Sequence, residues 1–198
     1  MKKITLMAAC LFLPMAALTD EVMWTVDNFP GDVVEDRLGV KIGDQWLEAA
    51  RLSTTRLENG CTGSFASEDG LILTNNHCTW GCIRNLSTPE RNLSDDGFMA
   101  TNRAEELQCP GQQISVLVDM DEVTGRIADA TSNLPDAEAN DARKAELTNL
   151  ESQCEAAADG ELRCEAVTLY NGGQYFIYKY KRYDDVRLVF APELDIAA

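Results

Sequence analysis

The residues best suited to chemistry in this chain lie between positions 60 and 78, in the stretch GCTGSFASEDGLILTNNHC. His77 is the only histidine among 198 residues. An unperturbed imidazole titrates near ~6.5, so it can take up and return a proton at neutral pH. Cys78 follows it directly, and Cys61 stands upstream. Two short apolar runs, residues 63–66 and 71–73, are joined by Ser67-Glu68-Asp69-Gly70. Asp-Gly between apolar runs is a hairpin signal. The spacing therefore predicts His77 just past the second strand, partly exposed, with a Cys61–Cys78 bridge holding the strand ends within about 7 Å Cα to Cα. The chemistry that fits is general-base catalysis, in which the imidazole deprotonates a hydroxyl while a carboxylate orients the ring.

A histidine fixed at a strand end by a disulfide resembles the way chymotrypsin-like serine peptidases hold their base. The longer pattern GCTGSF, then S-x-DG-L-x-LTN-x-HC, resembles the bacterial dipeptidyl-peptidases of the 7 and 11 group, serine peptidase family 46. Flanking pieces agree: Asp20-Glu21-Val22-Met23-Trp24 with the family's mature start, and Ser87-Thr88-Pro89-Glu90, Asp96-Gly97-Phe98 and Glu105-Glu106-Leu107 with the segment after the histidine. Residues 181–192, KRYDDVRLVFAP, resemble a later block. One position departs. The family has two histidines before the cysteine, and here Asn76 precedes His77. The family's base is the histidine adjacent to the cysteine, so the role falls on His77.

The resemblance implies an exported serine-type dipeptidyl-peptidase that removes dipeptides from oligopeptides with free amino ends. It also implies a fold that is mostly β with α insertions, part of a chymotrypsin-like double β-barrel plus the start of a helical domain. No cofactor or metal is implied, and the full-length family leaves room for a homodimer. A serine peptidase also needs an orienting carboxylate, a nucleophile and oxyanion donors. Past His77 there is no Gly-x-Ser-x-Gly or Gly-Asp-Ser-Gly stretch, and Ser87, Ser94, Ser115, Ser132 and Ser152 lie in segments without a nucleophile signature. The family's aspartate follows the block ending here at Pro192, so Asp184 and Asp185 are not its counterparts. Residues 18–198 are thus expected to be the amino-terminal portion of a catalytic domain, inactive alone. The alternative is a secreted non-catalytic module on the same scaffold. Metal binding through His77, Cys78 and Cys82 fits poorly, because the spacing matches no common zinc motif and adjacent residues rarely share one ion.

The formal net charge of −16 argues against a nucleic-acid partner, which needs clustered Lys and Arg. Residues 1–17 read as a signal peptide: Lys2 and Lys3, an apolar run over 4–13, and Met15-Ala16-Ala17 as cleavage site. That run is shorter than the roughly 20 residues of a spanning helix, and no later run is long enough, so a periplasmic or secreted location without a membrane partner is expected. Met7 stands where a lipid-attachment signal at Cys10 would favour leucine. Beyond the leader six cysteines remain, Cys61, Cys78, Cys82, Cys109, Cys154 and Cys164, an even number that favours disulfides in an exported chain. Fifteen pairings exist, and local spacing favours Cys61–Cys78, Cys82–Cys109 and Cys154–Cys164.

The positioning elements follow from periodicity. Met23, Trp24, Val26 and Phe29 form an apolar lead-in ended by Pro30-Gly31. A short helix is expected over 44–52, with Asp44 as N-cap and Trp46, Ala49 and Ala50 on its inner face. A strand is expected over 53–57, and a capping-box turn from Asn102 to Glu105. Ile114, Val116 and Val118 alternate as a strand. Residues 136–158 form the clearest helix, with Leu147, Leu150, Cys154 and Ala157 inward and Gly160 as terminator. Residues 162–170 and 175–183 read as a hairpin across Asn171-Gly172-Gly173-Gln174. Phe176, Tyr178 and Tyr180 share one face as core. Val186, Leu188 and Phe190 alternate as a third strand with an open edge.

Overall fold

The computed structural model describes residues 24–197. The signal segment 1–17, Cys10 and positions 20–23 of the family's mature start lie outside the described residues. The chain divides into two units, 1–42 and 43–198. Within the first, a 3-10 turn at Val26–Asn28 precedes helix α1, Gly31–Leu38. Pro30-Gly31 thus opens a helix rather than only ending the lead-in. Proline fits the entrance of a helix because no intrahelical N–H is needed there. The helix ends at Gly39, which has φ 65° and donates its N–H to the Glu35 carbonyl.

The second unit is built on one antiparallel sheet. Helix α2 (Asp44–Ser53) runs into β1 (Thr54–Leu57), followed by β2 (Thr62–Phe65) and β3 (Ile72–Thr74). Next come α3 (Asn76–Leu86), α4 (Leu93–Asp96), β4 (Phe98–Met99) and β5 (Leu107–Gln108). The long elements are β6 (Ile114–Glu122), α5 (Thr124–Thr131), α6 (Asp136–Ala157), β7 (Leu162–Leu169) and β8 (Gln174–Tyr183). The chain closes with β9 (Arg187–Leu188), β10 (Phe190–Ala191) and α7 (Leu194–Ala197). Six strands form a sheet in the order β3-β2-β1-β6-β8-β7.

This architecture is mixed α/β rather than mostly β. Among the described residues the sheet is open, with β3 and β7 at its edges, so no closed barrel is present. Strand alternation explains why it has a core at all. Thr55 and Leu57 are buried while Thr54 and Arg56 face out, the two-residue period of a half-buried strand. On the buried face, Leu57, Cys78 and Ile114 gather Cys61, Phe65 and Ile72 at one end. At the other end Tyr175, Ile177 and Cys164 pack with Val123, Ile127 and Leu150 beneath α5 and α6.

Several expectations need correction. Asp44 is the first helical residue of α2, Gly43 its N-cap, and no side chain caps it. The inner face of α2 is Leu47, Ala50 and Arg51, while Trp46 is 59% exposed. Arg51 Nη1 donates to the Leu117 carbonyl of β6 at 2.6 Å, which fixes that rotation. Val118 does not continue a regular alternation, because the β6–β8 register shifts between Leu117 and Asp119. Ala157 is exposed, although Leu147, Leu150 and Cys154 do turn inward. The segment 186–190 is no third strand of the sheet. Its two short pieces pair separately, β9 with β5 and β10 with β4, each on one side only among the described residues, and Phe190 stays exposed. These pairings close a third cluster of Cys82, Ile83, Leu93, Phe98, Cys109, Leu188 and Ala191. Asn102 caps only a 3-10 turn, and Glu105 reaches back to the Thr101 N–H and hydroxyl at 2.8 and 2.9 Å.

Other readings agree with the fold. β7 and β8 form the long hairpin, with Tyr170, Asn171 and Gly172 all at positive φ in the turn. Phe176 and Tyr180 are buried and stack edge-on with Tyr178. Disulfides join Cys61–Cys78, Cys82–Cys109 and Cys154–Cys164, with Cα separations of 5.9, 5.0 and 6.1 Å.

Candidate active site

The hairpin that precedes His77 has the register Gly63↔Thr74, Ser64↔Leu73 and Phe65↔Ile72. Its turn closes through the Gly70 N–H on the Ser67 carbonyl, and Gly70 takes φ 89°, a conformation that favours glycine. Leu71 N–H also donates to Ser67 Oγ at 3.2 Å. Gly63 cannot be enlarged: a Cβ there would stand 2.7 Å from Ile72 Cγ2 and 2.9 Å from Thr55 Oγ1.

His77 lies just past β3, as expected, and is the second residue of α3. Asn75 is the N-cap, and its carbonyl accepts the Cys78 N–H at 3.0 Å. Helical period then decides where the imidazole goes. Cys78, Cys82 and Ile83 form the buried side of α3, and Cys78 and Cys82, one turn apart, are each bridged to the surrounding chain. The residue before Cys78 is rotated about 100° away, so His77 is exposed. Trp80, three residues on and on the same side, meets its ring edge-on at 6.4 Å between centroids.

The support beneath is a tight turn. Leu57 N–H donates to the Cys61 carbonyl at 2.8 Å and Gly60 N–H to the Leu57 carbonyl at 3.0 Å, with Gly60 at φ 86°. From this turn the Cys61–Cys78 bridge reaches α3. Asn59 makes a second link: its Nδ2 donates to the Cys78 carbonyl at 2.7 Å, and its Oδ1 accepts the Cys61 N–H at 3.3 Å. Sequence reading missed Asn59, although Asn59-Gly60 is itself a turn signal.

A ring nitrogen of His77 and the sulfurs of Cys61 and Cys78 lie within 4.8 Å of one another. Both sulfurs are spent in the disulfide, so the trio has no thiolate to offer a cation. Cys82, bonded to Cys109, is likewise no ligand in this state.

Among the described residues, no hydrogen bond or ion pair reaches the His77 ring, and Ser87, Ser132 and Ser152 spend their hydroxyls locally. Ser87 Oγ donates to the Ile83 carbonyl at the end of α3 and accepts from Leu93 N–H. Ser132 donates to the Asp129 carbonyl and Ser152 to the Thr148 carbonyl, both within helices or their ends, while Ser115 is buried in β6. Ser94 lies in the short α4, where Asn92 Oδ1 accepts its N–H. Asp184 pairs with Gln113 and Arg182, and Asp185 with Arg187, whose guanidinium holds that carboxyl below its ordinary range. Beside the start of α3 runs a cleft of about 490 Å³ between β3 and the segment 185–192. Ile72, Ile114, Val186, Leu188 and Phe190 line it, and the Asn76 Oδ1, buried without a partner, belongs to a residue of its wall. The arrangement is an exposed imidazole on a doubly anchored helix start, at the margin of an apolar cleft.

The chain belongs to the peptidase S46 family, whose model matches residues 19–198. It is 34% identical over 192 residues to dipeptidyl-peptidase 7 of Capnocytophaga gingivalis, covering 92% of this chain and 26% of that protein. It is 29% identical over 194 residues to the Asp/Glu-specific dipeptidyl-peptidase of Porphyromonas endodontalis, covering 91% and 26%. The crystal structure of Porphyromonas endodontalis DPP11 in complex with the dipeptide Arg-Glu matches with a TM-score of 0.71 at 26% identity, over 86% of this chain and 26% of that one. The chain therefore spans about a quarter of the length of these relatives.

Proposed function

We propose that this chain carries the general base of an exported serine-type dipeptidyl-peptidase, His77, on the amino-terminal portion of its catalytic domain. The observation that carries the reading is the placement of the chain's only imidazole, exposed at the start of α3 and anchored by the Cys61–Cys78 bridge, in a member of a peptidase family. The curated relatives are named for dipeptidyl-peptidase activity, which supports oligopeptides with free amino ends as substrates. In this reading residues 1–17 are a signal that delivers the protein to the periplasm or beyond, and three disulfides suit that location. The open sheet would form part of a chymotrypsin-like barrel, continued from the outer edge of β3.

The chemistry assigned to His77 is proton transfer. Its imidazole takes the proton from a serine hydroxyl as the oxygen attacks the scissile carbonyl, then returns it to the departing amine. Serine, orienting aspartate and oxyanion donors come, in this proposal, from residues outside these 198. A base without them orients water at best and lacks what is usually the largest catalytic term. Purified residues 18–198 are therefore expected to release no dipeptide above the no-enzyme control. A full-length relative assayed beside them should turn over and lose activity when its matching histidine becomes alanine. Turnover by the 18–198 protein that disappears in His77→Ala would overturn the proposal of an incomplete site. Undiminished turnover by the relative without its histidine would overturn the role of the base.

A further inference from the structure

We propose that Asn59 is a positioning residue for His77, acting through the peptide that follows Cys78. The inference rests on the reading of His77 as the base. Its basis is a pair of contacts made by one side chain in opposite directions. Asn59 Nδ2 donates to the Cys78 carbonyl at 2.7 Å, while its Oδ1 accepts the Cys61 N–H at 3.3 Å. The amide thus runs parallel to the Cys61–Cys78 bridge, tying the same two residues by a separate route.

The two ties constrain different motions. A disulfide joins two side chains and keeps their Cα atoms close, here 5.9 Å apart, but makes no contact with the backbone carbonyl of either residue. A hydrogen bond to the Cys78 carbonyl fixes the orientation of the peptide plane after Cys78 instead. That carbonyl belongs to the first turn of α3, one residue beyond His77. Its tilt is shared by the helical segment carrying the imidazole, because planar peptides leave only two soft torsions per residue. Within the turn, Cys78 N–H donates to the Asn75 carbonyl at 3.0 Å and Thr79 Oγ1 to the Asn76 carbonyl at 2.7 Å, so among the described residues Asn59 supplies the hydrogen bond that reaches it from another part of the chain. No side chain caps the N-terminus, the Asn76 side-chain oxygen is buried without a partner, and among the described residues nothing hydrogen-bonds the ring. Asn59 is held for the task by the tight turn over 57–61, where Leu57 N–H donates to the Cys61 carbonyl and Gly60 N–H to the Leu57 carbonyl.

The test uses the full chain, whose single histidine gives one imidazole Cε1–Hε1 signal in a proton–carbon NMR spectrum. Asn59→Ala removes both contacts. Asn59→Ser keeps a polar side chain that suits the turn but is too short to reach Cys78, and it covers the case in which the alanine variant folds poorly. Leu150→Ala, in the cluster under α6, is the control for general loss of stability. Both Asn59 variants are expected to shift the Cys78 carbonyl carbon and to displace and broaden the His77 signal. The control should leave that signal at the wild-type position even though its melting temperature falls further. If the Cys78 carbonyl shifts while the His77 signal stays sharp and in place, Asn59 serves the turn alone and the proposal fails. It fails equally if Leu150→Ala moves the His77 signal as far as the Asn59 variants do. The spectrum follows the ring without turnover, so this outcome is separate from the activity assay that tests the base itself.

Discussion

The two edges of the sheet are finished in different ways. β7 lies against α6, and two of its outward N–H groups are taken up by helix carboxylates. Glu155 Oε1 accepts from Cys164 N–H at 3.2 Å and Glu151 Oε1 from Ala166 N–H at 2.7 Å. The Cys154–Cys164 bridge fastens the same two elements. At the other edge, among the described residues, no strand pairs with the outer side of β3. Leu73, 63% exposed, and Leu71, 42% exposed, stand on or beside it. An unpaired strand with apolar neighbours is an invitation to pair, which proteins ordinarily cover or charge. The covered edge belongs to the scaffold and the bare edge leads directly to His77. The candidate site thus lies at the end of the sheet that has the bare edge.

The largest effect separating the two ends should come from their bridges. Replacing Cys61 and Cys78 by serine removes a covalent loop worth roughly 3 kcal/mol in the chain-entropy model. It does so where only Leu57, Cys78 and Ile114 form the buried cluster. Amide exchange is expected to accelerate first over β2, β3 and the start of α3. The same change at Cys154 and Cys164 should cost less, since that loop is shorter and Glu151 and Glu155 still hold β7 to α6. Equal loss of protection at both ends would show that the site end is not the weaker region.

A second effect concerns association. Leu73→Lys puts a charge on the bare edge and should lower self-association measured by analytical ultracentrifugation. Glu151→Ala with Glu155→Ala should do the reverse, freeing two N–H groups on β7 and raising association while costing about 1 kcal/mol per lost bond. If Leu73→Lys leaves association unchanged, the β3 edge is not the sticky surface.

What could be read from the sequence divides along the same line. The hairpin, the cysteine pairs and α6 were legible because each is specified locally, by Asp69-Gly70, by short spacings, and by Leu147, Leu150 and Cys154 at helical intervals. His77 was located to within a residue or two, but its helix was not foreseen, since Asn75 and Asn76 look as much like a loop as an N-terminus. The rotation of α2 and the split of residues 186–191 failed for another reason. Both are decided by distant partners, Leu117 for Arg51 and β4 and β5 for β10 and β9, which periodicity does not report. Residues 186–191 form two short pairings instead of one strand, which buries Leu188 and leaves Phe190 exposed.

The smallest expected effect tests what joins the two ends. From β1, Arg56 passes over β6, stacks on the Tyr180 ring at 4.4 Å and donates to both oxygens of Glu165 on β7, at 2.6 and 3.0 Å. The hydrogen bond from Arg56 holds the Glu165 carboxyl below its ordinary range, and burial raises the Tyr180 hydroxyl above its own. A depressed carboxyl pKa contributes stability that is fully present above the unfolded value and disappears as pH falls through the folded value. Arg56 is partly exposed, so screening limits the pair to what surface pairs give, under about 1 kcal/mol. Wild type is therefore expected to exceed Glu165→Gln slightly in urea midpoint at neutral pH, and the two should converge in acid below the carboxylate range. Arg56→Lys should behave like the glutamine variant even at neutral pH, because an ammonium cannot supply the two-pronged contact or stack on the ring in the same way. A difference between wild type and Glu165→Gln that persists in acid would mean that side-chain packing over Tyr180, and not the charge pair, ties β1 to β7.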